Sequence, residues 1–256
     1  MNAIGCISHA KAPTHSLTRQ LILSRDGRPF ASEIRFTPPG HRAPPAPSSR
    51  TASAGQSHGR YGEVLAPACQ SGLSLNDRNG ERQKKHLNRT LICLSETSLN
   101  SFELTEALLQ SGSDLRDLGH TLVVSLTAQP LWELRSKYKK NIIYNMYRLK
   151  DHGIEIALDD CNIQRDAVTS FCTLNLFNYI KLSVSSLDQC LKLKGVPEFL
   201  NKIHDRMVTL SHNHKISFIA DRVEHIESHS LARALPFDYF QGSHYSHADH
   251  LLTENW

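Results

Sequence analysis

Long apolar runs are missing from this chain. No stretch is long and apolar enough to span a bilayer as a helix, and the N-terminus has no apolar core of the secretory-signal kind. Closely spaced cysteine pairs are missing too. The six cysteines, Cys6, Cys69, Cys93, Cys161, Cys172 and Cys190, include no C-x-x-C. Their spread predicts reduced, partly buried thiols in a cytoplasmic protein, not a disulfide framework. Charge of one sign is scarce: the formal net charge is +4. There is no basic stripe or helix-turn-helix pattern, so direct contact with nucleic acid is not expected, nor is a membrane partner.

What is present fits one large domain. The 256 residues, 39% of them hydrophobic, suffice for a single α/β barrel. Residues 1–16 are polar and irregular and read as an N-terminal tail. Residues 38–60 are rich in Pro, Ser, Ala and Gly and cannot bury enough apolar surface to offset their ordering entropy. They are expected to form a flexible loop. The barrel itself is expected over residues 17–252.

Eight short apolar runs read as strands: Gln20–Ser24, Ser32–Phe36, Thr90–Ser95, Thr121–Leu126, Ile154–Asp160, Tyr179–Ser183, Ile216–Asp221 and Asp238–Gly242. They are mostly continuous, not alternating, as strands of a parallel sheet buried on both faces should be. Helical periodicity appears over Phe102–Leu118, Leu131–Lys150, Val196–Leu210 and Val223–Leu235. Gly153 stands where a C′ glycine belongs. Strand–helix alternation with eight strands predicts a TIM-like (β/α)8 barrel over a doubly wound sheet.

In such a barrel the functional end is the C-terminal end of the strands. Asp159, Asp160, Lys181, Asp221 and Gln241 each stand at the end of a predicted strand. One open end would therefore gather carboxylates, an ammonium and an amide. Alone, paired strand-end aspartates are as easily helix caps, and a strand-end lysine is as easily a snorkelling one. Histidines at 204, 212, 214, 225, 229, 244, 247 and 250 have no acidic or cysteine partner at zinc spacing and read as surface or rim residues.

Five stretches carry a resemblance. GIEIALDDCNIQRDAVTSFCTLNLFNYIKLS is similar to the central signature of the EAL-domain family, the TIM-barrel phosphodiesterases of cyclic di-GMP. KISFIADRVEHIES and FDYFQGSHYS resemble that family's seventh- and eighth-strand motifs, and LICLSETSLN and TLVVSLTAQ its third and fourth strands. Five elements in the right order make the resemblance specific.

The resemblance also marks departures. Cys93 stands where the family has a metal-binding asparagine, Ser125 and Ala128 where it has glutamates, and Asp221 where it has a glutamate. Arg222 stands for a glycine, and Cys161-Asn162 for Phe-Gly. Two registers fit the name-giving motif. One puts Glu33 at its glutamate and Arg35 at its leucine; the other puts Ala31 at the glutamate. In both, Glu33 and Arg35 share a strand face.

The resemblance therefore implies a degenerate EAL barrel in a bacterial regulator that no longer catalyses. Such a protein would control gene expression of the virulence or motility type through a transcriptional or signalling protein partner, with no cofactor. Two other readings stay open. One is a cyclic di-GMP receptor that binds without cleaving, through Arg35, Asp160, Asp221 and Gln241. The other is a weak phosphodiesterase holding Mg²⁺ or Mn²⁺ on Glu33, Asp159 and Asp160, with Lys181 and Asp221 as residual catalytic candidates.

Overall fold

The computed structural model describes residues 16–37, 88–94, 96–128, 136–194 and 196–251. The tail expected up to residue 16 lies, except for Ser16, outside them, as does the loop expected over 38–60. The strands are β1 (Ser16–Ser24), β2 (Pro29–Thr37), β3 (Arg89–Leu94), β4 (Thr121–Thr127), β5 (Glu155–Asp159), β6 (Tyr179–Ser183), β7 (Ser217–Asp221), β8 (Tyr239–Phe240) and β9 (Asp249–Leu251). The helices are α1 (Phe102–Asp117), α2 (Ser136–Asp151), α3 (Asp166–Cys172), α4 (Val184–Lys194), α5 (Val196–His214) and α6 (Ile226–Ala234). No helix among the described residues is long and apolar enough to cross a membrane.

Strands β2 to β8 pair in sequence order and in parallel. Strand β1 closes the barrel by pairing with both β2 and β8, and β9 adds to the free half of β1. The fold is thus the expected TIM-like barrel with one correction: β1 runs antiparallel to both neighbours. The reason is local. Only Arg25–Arg28 separate β1 from β2, and parallel strands need a crossover of a dozen residues or more. Gly27, at φ +79°, supplies the left-handed position of the Asp26-Gly27 turn, and Ser24 N donates to Arg28 O at 2.8 Å to close it.

The continuous apolar runs follow from burial on both strand faces. Successive side chains alternate. Ile92, Leu94, Val124, Leu126, Ile156 and Leu158 point out into the shell between sheet and helices. Ile22, Ala31, Leu91, Val123, Ala157, Tyr179 and Ile219 point in and form a separate apolar layer inside the barrel. Below it, Phe30 stacks on Tyr239 with centroids 3.6 Å apart. Arg89 lies over Phe30 and is ion-paired to Glu155. This closes the N-terminal end, the end associated with stability in such barrels.

Helices α1, α2, α5 and α6 match the expected ones to within a few residues, where residues are described. Residues 131–135 of the expected second helix lie outside the described set. Gly153 follows α2 at φ +74°, as its C′ reading requires. Helices α3 and α4 carry no clear sequence signal.

Candidate functional site

The period of a strand locates the site. Two residues beyond each member of the inner apolar layer, the next inward position comes up. Ala31 leads to Glu33, Leu91 to Cys93, Val123 to Ser125, Ala157 to Asp159, Tyr179 to Lys181 and Ile219 to Asp221. Tyr239, packed against that layer, leads to Gln241. On antiparallel β1 the step runs backwards, from Ile22 to Gln20. The mouth is therefore a polar ring with one member from each of eight strands, and most of it is buried: Glu33 is 1% exposed, Lys181 and Gln241 0%, Asp221 5%. This places Glu33 in the ring and Ala31 in the apolar layer beneath it.

Glu33 is the hub. Its Oε1 accepts from the ammonium of Lys181 and from the Cys93 thiol at 3.1 Å. Its Oε2 accepts from Gln241 Nε2 at 2.6 Å and from Arg35 Nε at 2.8 Å, with Arg35 Nη2 at 2.7 Å. Lys181 also lies 3.7 Å from Asp159, and Arg35 Nη2 lies 3.6 Å from Asp221. Gln241 reaches Gln20 at 3.3 Å, and Gln20 in turn donates to Ser246 O at 2.9 Å.

These contacts and burial shift the ring's acids and bases in different directions. Burial would raise the Glu33 carboxyl, but the charges of Arg35 and Lys181 outweigh it and hold it below the usual carboxylate range. Burial likewise works against the Lys181 ammonium, yet Asp159, Glu33 and Asp221 raise it. Arg35 is raised chiefly by Glu33. Burial, with the neighbouring carboxylates Asp221 and Glu33 adding to it, pushes Asp159 up against the pull of Lys181. Burial and the Glu33 charge push the Cys93 thiol up, which keeps it protonated.

Asp160 takes a different direction. It adopts φ +49°, its N–H donates to Asp159 Oδ1 at 2.8 Å, and it lines a neighbouring cavity of about 200 Å³ with Cys161, Ser183 and Phe199. Cys172 is buried, and Cys190, half-buried against the outer core, also lies on the wall of that cavity. Arg222, at φ +58°, occupies a left-handed position that suits the glycine the resemblance expects there; its Nε lies 3.9 Å from Asp221. Among the histidines, the rings of His229 and His244 lie 4.7 Å apart at a tilt of 39°, and His229 meets the Tyr245 hydroxyl.

A divalent metal fits this ring poorly. Donor atoms of Glu33, Cys93 and Asp159 lie within 4.8 Å of one another. One of the three is a protonated thiol, a soft ligand ill-matched to Mg²⁺ or Ca²⁺. Both Glu33 oxygens already carry cationic donors. Ser125 Oγ, buried and without a hydrogen-bond partner among the described residues, brings no charge. Two ring members escaped sequence reasoning in their roles, Gln20 as the support of Gln241 and Cys93 as a donor to Glu33.

Comparison with known proteins agrees with this architecture. The family model described as EAL domain matches residues 63–248. The Exotoxin A regulatory protein of Pseudomonas aeruginosa is 27% identical over 167 residues, 62% of this chain and 60% of that protein. This chain thus spans about 60% of that relative's length. Among solved structures, BlrP1 of Klebsiella pneumoniae in a calcium and cyclic di-GMP complex superposes with a TM-score of 0.68 at 18% identity, covering 95% of this chain and 58% of that one. The FimX EAL domain of Xanthomonas citri in complex with cyclic di-GMP gives 0.62 at 15% identity, covering 94% and 90%.

Proposed function

We propose that this chain, which belongs to the EAL-domain family, is a regulator that has given up phosphodiester hydrolysis and acts by binding a protein partner, such as a transcriptional or signalling regulator. The observation that carries the reading is the state of Glu33. Its two oxygens are taken by Lys181, Cys93, Gln241 and Arg35, so neither is left free to ligate an ion. Two further ligand positions of the family, Cys93 and Ser125, hold a thiol and a neutral hydroxyl. Loss even of the groups that merely orient metal ligands typically costs about 10–100-fold in affinity or activity; losing the ligands themselves costs more. The similarity to a protein named as a regulator supports the same direction, and control of virulence or motility genes is the form of regulation proposed.

Affinity capture of the tagged chain from its own cells, with mass spectrometry of what is retained, tests this. A stoichiometric protein partner is expected; repeated recovery of the chain alone counts against the reading. A second reading, a receptor that binds cyclic di-GMP without cleaving it, is favoured by the half-exposed guanidinium of Arg35 at the mouth. Asp221 and Gln241 would line the same site, with Asp160 at its margin. Calorimetric titration with cyclic di-GMP, with and without Mg²⁺, decides it; absence of heat in both removes it.

A further inference from the structure

We propose that Arg35 and Arg222 together stand in for a divalent metal ion in this barrel mouth. The inference rests on the non-catalytic reading of the site and says what replaced the metal.

The charge count carries it. The ring holds three carboxylates, Glu33, Asp159 and Asp221, against one ammonium, Lys181. With all four groups ionised, that leaves an excess of two negative charges in a largely buried layer. In a low-dielectric site an excess of this kind must be neutralised by protons or by cations. The resemblance to the EAL family expects a leucine at position 35 and a glycine at position 222, neither of which brings charge. Here both are arginines. Their two positive charges equal those of one divalent ion, and the ring becomes balanced without one.

The geometry places both charges on the ring's acids. Arg35 lies two residues beyond Glu33 on β2, on the same strand face. Its Nε and Nη2 lie 2.8 and 2.7 Å from Glu33 Oε2, and the same Nη2 lies 3.6 Å from Asp221 Oδ2. One planar fork thus spans carboxylates from two different strands, as a bridging ion would. Arg222 approaches the same Asp221 oxygen at 3.9 Å, from a left-handed backbone position that is unfavourable for a residue with a Cβ. A guanidinium stays charged at any pH the fold survives and cannot dissociate, so the mouth is assembled regardless of metal supply. A divalent ion entering the balanced ring would create an uncompensated buried charge.

Mn²⁺ titration of the full chain, followed by the electron paramagnetic resonance signal of free Mn²⁺ and by thermal unfolding, tests the substitution. The wild-type chain is expected to leave the free signal undiminished and to show the same Tm with Mn²⁺ and with EDTA. The double variant R35L/R222G is expected to withdraw Mn²⁺ with an affinity at least about tenfold above wild type, and to regain with Mn²⁺ the Tm it loses without it. R35K/R222K, which keeps both charges but not the fork, is expected to leave the free Mn²⁺ signal undiminished, as wild type does. Stoichiometric Mn²⁺ uptake by the wild type overturns the proposal. So does a double variant that ignores Mn²⁺, whether it folds or stays unfolded with the metal present. The non-catalytic reading fails by a different observation, release of linear pGpG by the wild type. Metal indifference of R35L/R222G with an inactive wild type sinks only the present inference.

Discussion

Replacing Glu33 by glutamine changes almost no volume, so its effect isolates the electrostatics of the ring. The carboxylate anchors Lys181, whose side chain is 0% exposed. Without the charge, that ammonium is left with Asp159 at 3.7 Å as its anionic neighbour, and Arg35 loses its closest acid. Breaking one half of a buried ion pair typically costs about 3–5 kcal/mol. Typical total stabilities are roughly 5–15 kcal/mol, so Glu33→Gln should remove a large part of the total. The assay is urea unfolding at neutral pH followed by far-ultraviolet circular dichroism. The companion variant E33Q/K181M removes both charges. It should recover most of the loss, because a buried pair replaced by apolar groups is often neutral or better. An E33Q chain within about 1 kcal/mol of wild type, the range of an ordinary substitution, would refute the claim that Glu33 organises the mouth.

Other outcomes follow from the same contacts. Glu33 is held below the usual carboxylate range in the folded chain, so its stabilisation is present above its unfolded value, about 4.3, and drains away as pH falls toward the folded value. Stability measured between neutrality and acid should therefore fall more steeply below about pH 4.5 in the wild type than in Glu33→Gln; parallel acid limbs would contradict this. Ser125→Ala removes a buried hydroxyl with no partner among the described residues and should stabilise by about 1 kcal/mol, read by the same urea titration. Gly242→Ala would bring a Cβ to 2.2 Å from Val223 O at φ +150°. Backbone clash and glycine-only geometry together should cost roughly 3 kcal/mol or more, seen as a depressed Tm or loss of soluble protein.

Much of this was legible from residues alone, for reasons that can be named. Asp159, Lys181, Asp221 and Gln241 could be read as one end of a barrel because each stands at or near the end of an apolar run, and strand ends converge; Glu33, inside its run, was legible only through the resemblance. Gln20 could not be read that way. Strand β1 is antiparallel, so its ring residue stands before its core residue Ile22, on the side of the strand where a parallel reading expects the barrel's floor. Adjacency groups Asp160 with Asp159, but neighbours on a strand diverge, and Asp160 turns to the adjacent cavity. Helix α3 is only 7 residues long, too short for its periodicity to stand out. Helix α4 opens on Val184-Ser185-Ser186 straight after β6, where the sequence reads as the frayed tail of a strand. The pairing of Arg35 with Glu33 was half-legible: the two-residue step puts them on one face, but only the folded ring shows that the arginine reaches back to the carboxylate and on to Asp221.

The central claim is that the polar ring no longer supports hydrolysis, and incubation of the purified chain with cyclic di-GMP and Mg²⁺ or Mn²⁺ tests it most directly. With Glu33 occupied by Lys181, Arg35 and Gln241, and with Cys93 and Ser125 in place of oxygen ligands, chromatography should show no linear pGpG above a protein-free control under either metal. Metal-dependent release of pGpG that disappears in Lys181→Met would contradict the account.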